Sequence, residues 1–298
     1  MINKDDLVRY FSDGEKIRGS EKIGTEHEKF VFSRKDLSLV PYAGEQSIIR
    51  IFDKFINLGW NPIKEQENII ALNKNGASIT LEPGGQFELS GAPLDNVHET
   101  CMEINNHLEI TKSIEEEQNI GFLAIGFLPN GSLDSVPRIP KKRYSKIMTP
   151  YMKELGGLGL EMMYQTCTVQ GNFDFTSEED MRRKVKIATT IQPVATGLFA
   201  NSPFKNTKLN GFQSYRSFIW SQTDANRTGL LSAMLQPSFS YEEYVDYALD
   251  VPTYFIVQGE SYIDATKYTF KEILDGKFKK INPEELTLKD WATHISTI

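Results

Sequence analysis

The alternation of apolar and polar positions divides the chain into strands and helices, with no fixed-period repeat and no low-complexity segment. Asn3 predicts the cap of a short helix ending near Phe11, and residues 22–33 read as a strand. In residues 44–58, Ile48, Phe52, Phe55 and Ile56 share one helical face and Gly59 follows as a stop signal. Residues 68–74 and 77–82 flank Asn75-Gly76, the pattern of a tight hairpin. Gly84-Gly85 turns the chain into another strand at residues 86–90. A long helix over residues 94–118 is expected to bury Leu94, Val97, Cys101, Ile104 and Leu108, and a strand follows at 120–128.

Further along, residues 141–154 predict a helix and residues 159–175 a long alternating strand. Ser177-Glu178-Glu179-Asp180 resembles a capping box opening a helix to about Phe199. Residues 201–228 read as loop-rich, and the remainder mixes short helices with a strand at 254–257. Hairpins outnumber strand–helix–strand units. The expected fold class is therefore α+β, an antiparallel sheet with helices packed to one side, in a single domain spanning 1–298.

Composition narrows the function classes. Lys and Arg number 33 against 40 Asp and Glu, a net charge of −7, which disfavours a broad surface for nucleic acid or anionic membrane. No apolar run approaches the length of a membrane span, and MINKDDLVRY lacks a signal peptide's apolar core, so a soluble cytoplasmic protein is expected. Two cysteines, Cys101 and Cys167, make neither a disulfide framework nor a four-cysteine zinc site; both read as packing residues. P-loop, Rossmann and zincin motifs are missing.

What remains is acidic. In IGTEHEKFVF a strand puts Glu26 and Glu28 on one face, their carboxylates roughly 6–7 Å apart. Their repulsion is about 0.7 kcal/mol in water and about 3 kcal/mol at an effective dielectric of 20, so a half-buried face needs a cation or a proton between them. LEPGGQFELSG adds Glu82 and Glu88 either side of a glycine turn, and hairpin pairing would bring both faces together. Oxygen ligands without a Cys or His cluster suit Mg²⁺ or Mn²⁺ and so nucleotide chemistry. On TCTVQGNFDF, Thr166, Thr168, Gln170, Asn172 and Asp174 form a third polar face. SYRSFIWSQTDANRTG interleaves Arg216, Trp220, Asp224 and Arg227, and a pair of arginines suits a carboxylate or a phosphoryl group. The cluster Arg138, Lys141, Lys142, Arg143 and Lys146 reads as a solvated helix start, with an anion-binding role as the alternative.

Taken in order, IGTEHEKF, LEPGGQFELSGAPL, IPKKRYSKIM, LGLEMMYQTCTVQGNFDF, LFANSPF, YRSFIW, TDANRTG and VDYALDVP resemble glutamate–cysteine ligase of the plant and proteobacterial type, over nearly the whole chain. The resemblance implies a glutamine-synthetase-like antiparallel sheet lining an active-site crevice. It implies ATP-dependent joining of the L-glutamate γ-carboxylate to L-cysteine through γ-glutamyl phosphate, the first step of glutathione synthesis. It further implies Mg²⁺, or Mn²⁺, on Glu26 and Glu28 with Glu82 and Glu88 completing the acidic wall. Gln170 and Asn172 would line the floor between nucleotide and substrate, Arg216 would meet the glutamate carboxylate beside Trp220, and Arg227 would serve phosphate. A γ-glutamyl ligase for another amine, and an inert binding or regulatory homologue, remain alternatives; monomer and homodimer are both open. Gly171 and Phe173 replace the more usual Val and Leu, and the family's continuation beyond WATHISTI is expected to be missing.

Overall fold

The computed structural model describes residues 1–298. Its central sheet has seven antiparallel strands: β1 (Ile23–Ser33), β2 (Asn61–Glu65), β3 (Asn68–Lys74), β4 (Ala77–Leu81), β5 (Phe87–Ser90), β6 (Ile120–Leu123) and β7 (Val169–Phe173). The order is β2-β3-β4-β5-β1, and eleven-residue β1 is long enough to hold two partners on its other edge. β7 pairs with Ile23–His27 and β6 with Phe30–Ser33. The hairpin between β3 and β4 turns on Asn75 and Gly76, both with positive φ (50° and 84°), as a two-residue mirror-image turn requires.

Ten helices surround the sheet: α1 (Lys4–Ser12), α2 (Ile48–Asn57), α3 (Val97–Gln118), α4 (Thr149–Leu155), α5 (Gly159–Gln165), α6 (Glu178–Leu198), α7 (Tyr215–Trp220), α8 (Tyr241–Asp250), α9 (Phe270–Leu274) and α10 (Leu288–Ile295). One sheet face is closed by α2 and α3. Ile48, Ile51, Phe52 and Phe55 pack there on Leu72, Ile79 and Phe87, each buried side chain contributing roughly 1.5–3 kcal/mol. Toward the other face, Phe30 of β1 packs with Tyr144, Met152, Met163 and Tyr164. A third cluster joins α1, α8, α9 and α10 around Leu7, Phe270 and Trp291. Besides the small ribbon of β8 (Phe204–Lys205) and β9 (Lys208–Leu209), β10 (Phe255–Gln258) pairs with β11 (Ser261–Asp264). β10 stitches two clusters together, with Phe255 in one and Ile256 in the other.

Mixed helix and antiparallel sheet agree with the expected α+β class, but helices cover both faces of the sheet rather than one, and three local expectations also change. Residues 159–175 are not one strand: Gly159–Gln165 is helical, and the strand begins at Val169. Leu160, Met163 and Tyr164 follow a helical spacing, and alternation sets in only from Thr166. In α3 the buried face is Thr100, His107, Thr111 and Ile114, whereas Val97, Cys101 and Leu108 are exposed. The helix is rotated because His107 lies against Phe55 and Phe87, a surface that the apolar stripe did not reveal. Finally, β2 escaped notice because it is an exposed edge strand containing Pro62, which an edge tolerates.

Candidate active site

Strand register assembles the site. β1 against β5 sets Glu28 opposite Glu88 and Glu26 opposite Ser90; β7 sets Gln170 opposite Glu26. Glu82 lies just past β4, where Pro83, Gly84 and Gly85 turn the chain. A Cβ on Gly84 would stand 2.5 Å from the Tyr164 carbonyl, so only glycine lets this turn approach α5. Gln86, 1% exposed, locks the turn: its amide donates to the Met163 and Thr166 carbonyls and accepts from the Gly84 N–H. Glu26, Glu28, Glu82 and Glu88 thereby face one cavity of about 460 Å³.

The carboxylates differ in their partners. Glu26 accepts from Gln170 and from Asn172 (2.8 Å). Glu28 accepts from the Thr168 N–H at 3.1 Å, and Glu88 from the Thr80 and Ser90 hydroxyls. Burial, followed by the charges of Glu82 and Glu88, pushes the Glu28 carboxyl up to about 8, against a smaller opposing pull from Arg216. Burial and then Glu88 raise Glu82 as well, with Lys141 and Arg143 opposing. The four carboxyls line one cavity with oxygen donors only, but as they stand no three of them converge into a group that could hold a metal ion.

Arg216, Arg143 and Trp220 complete the polar lining. Ser214 caps α7, Tyr215 packs edge-on to Phe127 at 5.0 Å, and the Arg216 N–H donates to Ser202 Oγ at 3.1 Å. This anchoring places the Arg216 guanidinium 5.2 Å over the Trp220 ring. Arg216 Nε, Arg143 Nε and Trp220 Nε1 are buried without a partner. Orphaned guanidinium donors beside a cavity are what an anionic ligand would satisfy.

Arg227 also borders the cavity, but its donors are engaged elsewhere. It donates to Asp224 (3.1 Å), to the Thr297 hydroxyl and carbonyl, and to the Pro252 carbonyl, and it lies 3.8 Å over Tyr254. The phosphate contact expected of Arg227 therefore finds little free donor capacity. Asn172 meets Glu26 but does not border the cavity, while Gln170 does both. The basic cluster is only partly solvated: Arg138 and Lys146 are exposed, whereas Lys141 is buried and donates to the Leu81 carbonyl at 2.8 Å, and Arg143 faces the acids. Sequence reasoning did not single Arg143 out from its neighbours because its helix starts irregularly, without a period to mark an inner face. Cys167 is buried as expected, with its thiol pushed well up by burial.

A family model for glutamate-cysteine ligase family 2 matches residues 22–298. The chain belongs to that family. It is 48% identical over all its 298 residues to glutamate–cysteine ligase A, chloroplastic, of Oryza sativa subsp. japonica, covering 60% of that protein. It is 49% identical to the chloroplastic enzyme of Medicago truncatula and 47% to that of Arabidopsis thaliana, each over its whole length, covering 58% and 56% of them. The family member described here thus spans less than two thirds of these relatives. Their names correct the cytoplasmic expectation, because all three are chloroplastic. An N-terminal apolar core marks secretion, not plastid import, so its absence carried no information on that choice.

Proposed function

We propose that the chain carries the catalytic centre of a glutamate–cysteine ligase: ATP-dependent formation of γ-glutamylcysteine from L-glutamate and L-cysteine, in a single glutamine-synthetase-like domain. The observation that carries this reading is the convergence of four carboxyls and two arginines with orphaned Nε donors on one cavity, in a member of this ligase family.

A carboxylate is a poor electrophile. The γ-carboxylate oxygen of glutamate attacks the terminal phosphorus of ATP, ADP departs, and the amine nitrogen then attacks the acyl carbon and expels phosphate. Protein catalysis of such a transfer is chiefly positioning and charge stabilisation. Glu26, Glu28, Glu82 and Glu88 would hold Mg²⁺, which when bound supplies charge neutralisation on the nucleotide phosphates. Gln170 and Asn172 hold the Glu26 carboxylate in orientation through their amides. Arg216, stiffened by Trp220, offers its fork to the glutamate carboxylate. Arg143 takes the phosphate-facing role for which Arg227 has little free donor capacity, and Arg227 instead braces the wall formed by Asp224, Tyr254 and Thr297.

The test is ADP release with ATP, Mg²⁺ and glutamate, with or without cysteine, and mass detection of product. Cysteine-dependent ADP release with γ-glutamylcysteine formed supports the reading. ADP release indifferent to cysteine, with another amine incorporated, would overturn the assigned substrate.

A further inference from the structure

α7 is a helix of six residues, too short to hold itself by its own backbone bonds, yet it carries both Arg216 and Trp220. The N–H groups of its first turn have no acceptor within the helix. Two serines supply the acceptors. The Ser202 carbonyl accepts from the Tyr215 N–H at 3.4 Å, and Ser202 Oγ accepts from the Arg216 N–H at 3.1 Å. Ser214 Oγ accepts from the Ser217 N–H at 3.4 Å. Ser214 is the ordinary cap of the helix, whereas Ser202 comes from 14 residues before Arg216. Ser202 is 1% exposed and is itself tied in place: its N–H donates to the Gln213 carbonyl at 3.0 Å, and its carbonyl also accepts from Asn210 Nδ2 at 3.0 Å.

The neighbour of Ser202 extends the connection to the acidic strand. Asn201 Oδ1 accepts from the Gly126 N–H at 3.0 Å, and a Cβ at position 126 would stand 2.9 Å from that oxygen, so glycine lets the two segments meet. The Gly126 carbonyl accepts from the Cys167 N–H at 3.3 Å, and the next residue, Thr168, donates to Glu28. Ser202 and Ser214 border a second cavity of about 580 Å³ that shares Glu28, Thr168 and Arg216 with the first. We propose that Ser202 and Ser214 are positioning residues for Arg216: together they fix the start of α7, so that the guanidinium is held over Trp220 and turned toward a substrate carboxylate. The segment LFANSPF thereby gains a role, with Asn201 as its anchor and Ser202 as a cap supplied from outside the helix. Only the identity of that carboxylate, glutamate, rests on the ligase reading.

Ser202→Ala keeps the backbone and deletes the acceptor for the Arg216 N–H. KM for glutamate should rise about fivefold, while KM for ATP and kcat stay within about twofold of wild type. Tryptophan emission reads the same event without turnover. The guanidinium leaves the Trp220 ring, so emission should differ from wild type, and a Trp220→Phe background should abolish the difference. Ser214→Ala should give the same two signatures, and it serves where Ser202→Ala does not fold. Unchanged KM for glutamate with unchanged emission in a folded variant would overturn the proposal, because α7 would then hold Arg216 unaided. So would equal rises in both KM values with a lowered melting temperature, the pattern of a general loss of structure. A wild type without glutamate-dependent turnover would sink the ligase reading, and the emission comparison would still decide whether the serines hold Arg216 against Trp220.

Discussion

Glu28 on β1 stands directly across from Glu88 on β5, two carboxyls on neighbouring strands of a largely buried sheet face. Like charges in that position destabilise a sheet. Burial first, then the neighbouring carboxyls, pushes Glu28 up to about 8, so folding at pH 7 must protonate it. Glu28→Gln removes that cost without changing shape, and the melting temperature should hold or rise. Metal-dependent ATP affinity should fall at least about tenfold, or about 1.4 kcal/mol. Calorimetric titration of ATP with and without Mg²⁺ checks this, and unchanged metal-dependent affinity would remove Glu28 from the metal site.

Arg216 is half-buried, with a buried Nε that has no partner and its guanidinium held over Trp220. A lysine keeps the charge and loses both the fork and the stacking plane. Arg216→Lys should raise KM for glutamate about tenfold or more, with KM for ATP little changed. Equal shifts in both constants would place Arg216 on the nucleotide instead.

Much of this site was legible because a strand's two-residue period is a hard constraint. Glu26 and Glu28 had to share a face, and the Asn75-Gly76 turn fixed the hairpin leading to Glu82. The turn at Gly84-Gly85 then brought Glu88 back to the same side. Legibility ended where tertiary contacts choose between equal local options. The face that α3 buries was set by His107 stacking on Phe87, not by its apolar stripe. The different fates of Arg143, Arg216 and Arg227 depend on which carbonyls and carboxylates the chain brings near each one, and composition does not encode that.

Arg227 and Asp224 form a buried ion pair, with side chains 4% and 1% exposed. Arg227→Ala strands the Asp224 charge and frees the turn at Thr297, so stability should fall by about 3–5 kcal/mol. Urea unfolding measures this directly. A loss under 1 kcal/mol, accompanied by a selective rise in KM for ATP, would restore a phosphate role to Arg227.

His107 predicts an acid lability of its own. It is 4% exposed, both ring nitrogens lack partners, and burial, aided by Lys29 and His27 on β1, pushes its pKa down to about 3. The unfolded chain, with an ordinary histidine near 6.5, binds the proton more readily. Stability is therefore intact above about pH 6.5 and declines as the pH falls toward 3. Between pH 7 and pH 5 this one residue should remove about 2 kcal/mol. His107→Leu keeps the packing between Phe55 and Phe87 without the titrating group, so it should match or exceed wild-type stability at pH 7 and surpass it by about that amount at pH 5. A shallower acid slope persists in the variant, because buried His294, lowered to about 4, titrates the same way. Parallel wild-type and variant curves of unfolding free energy from pH 7 to 5 would show that His107 is hydrated or paired in solution and does not drive the acid transition.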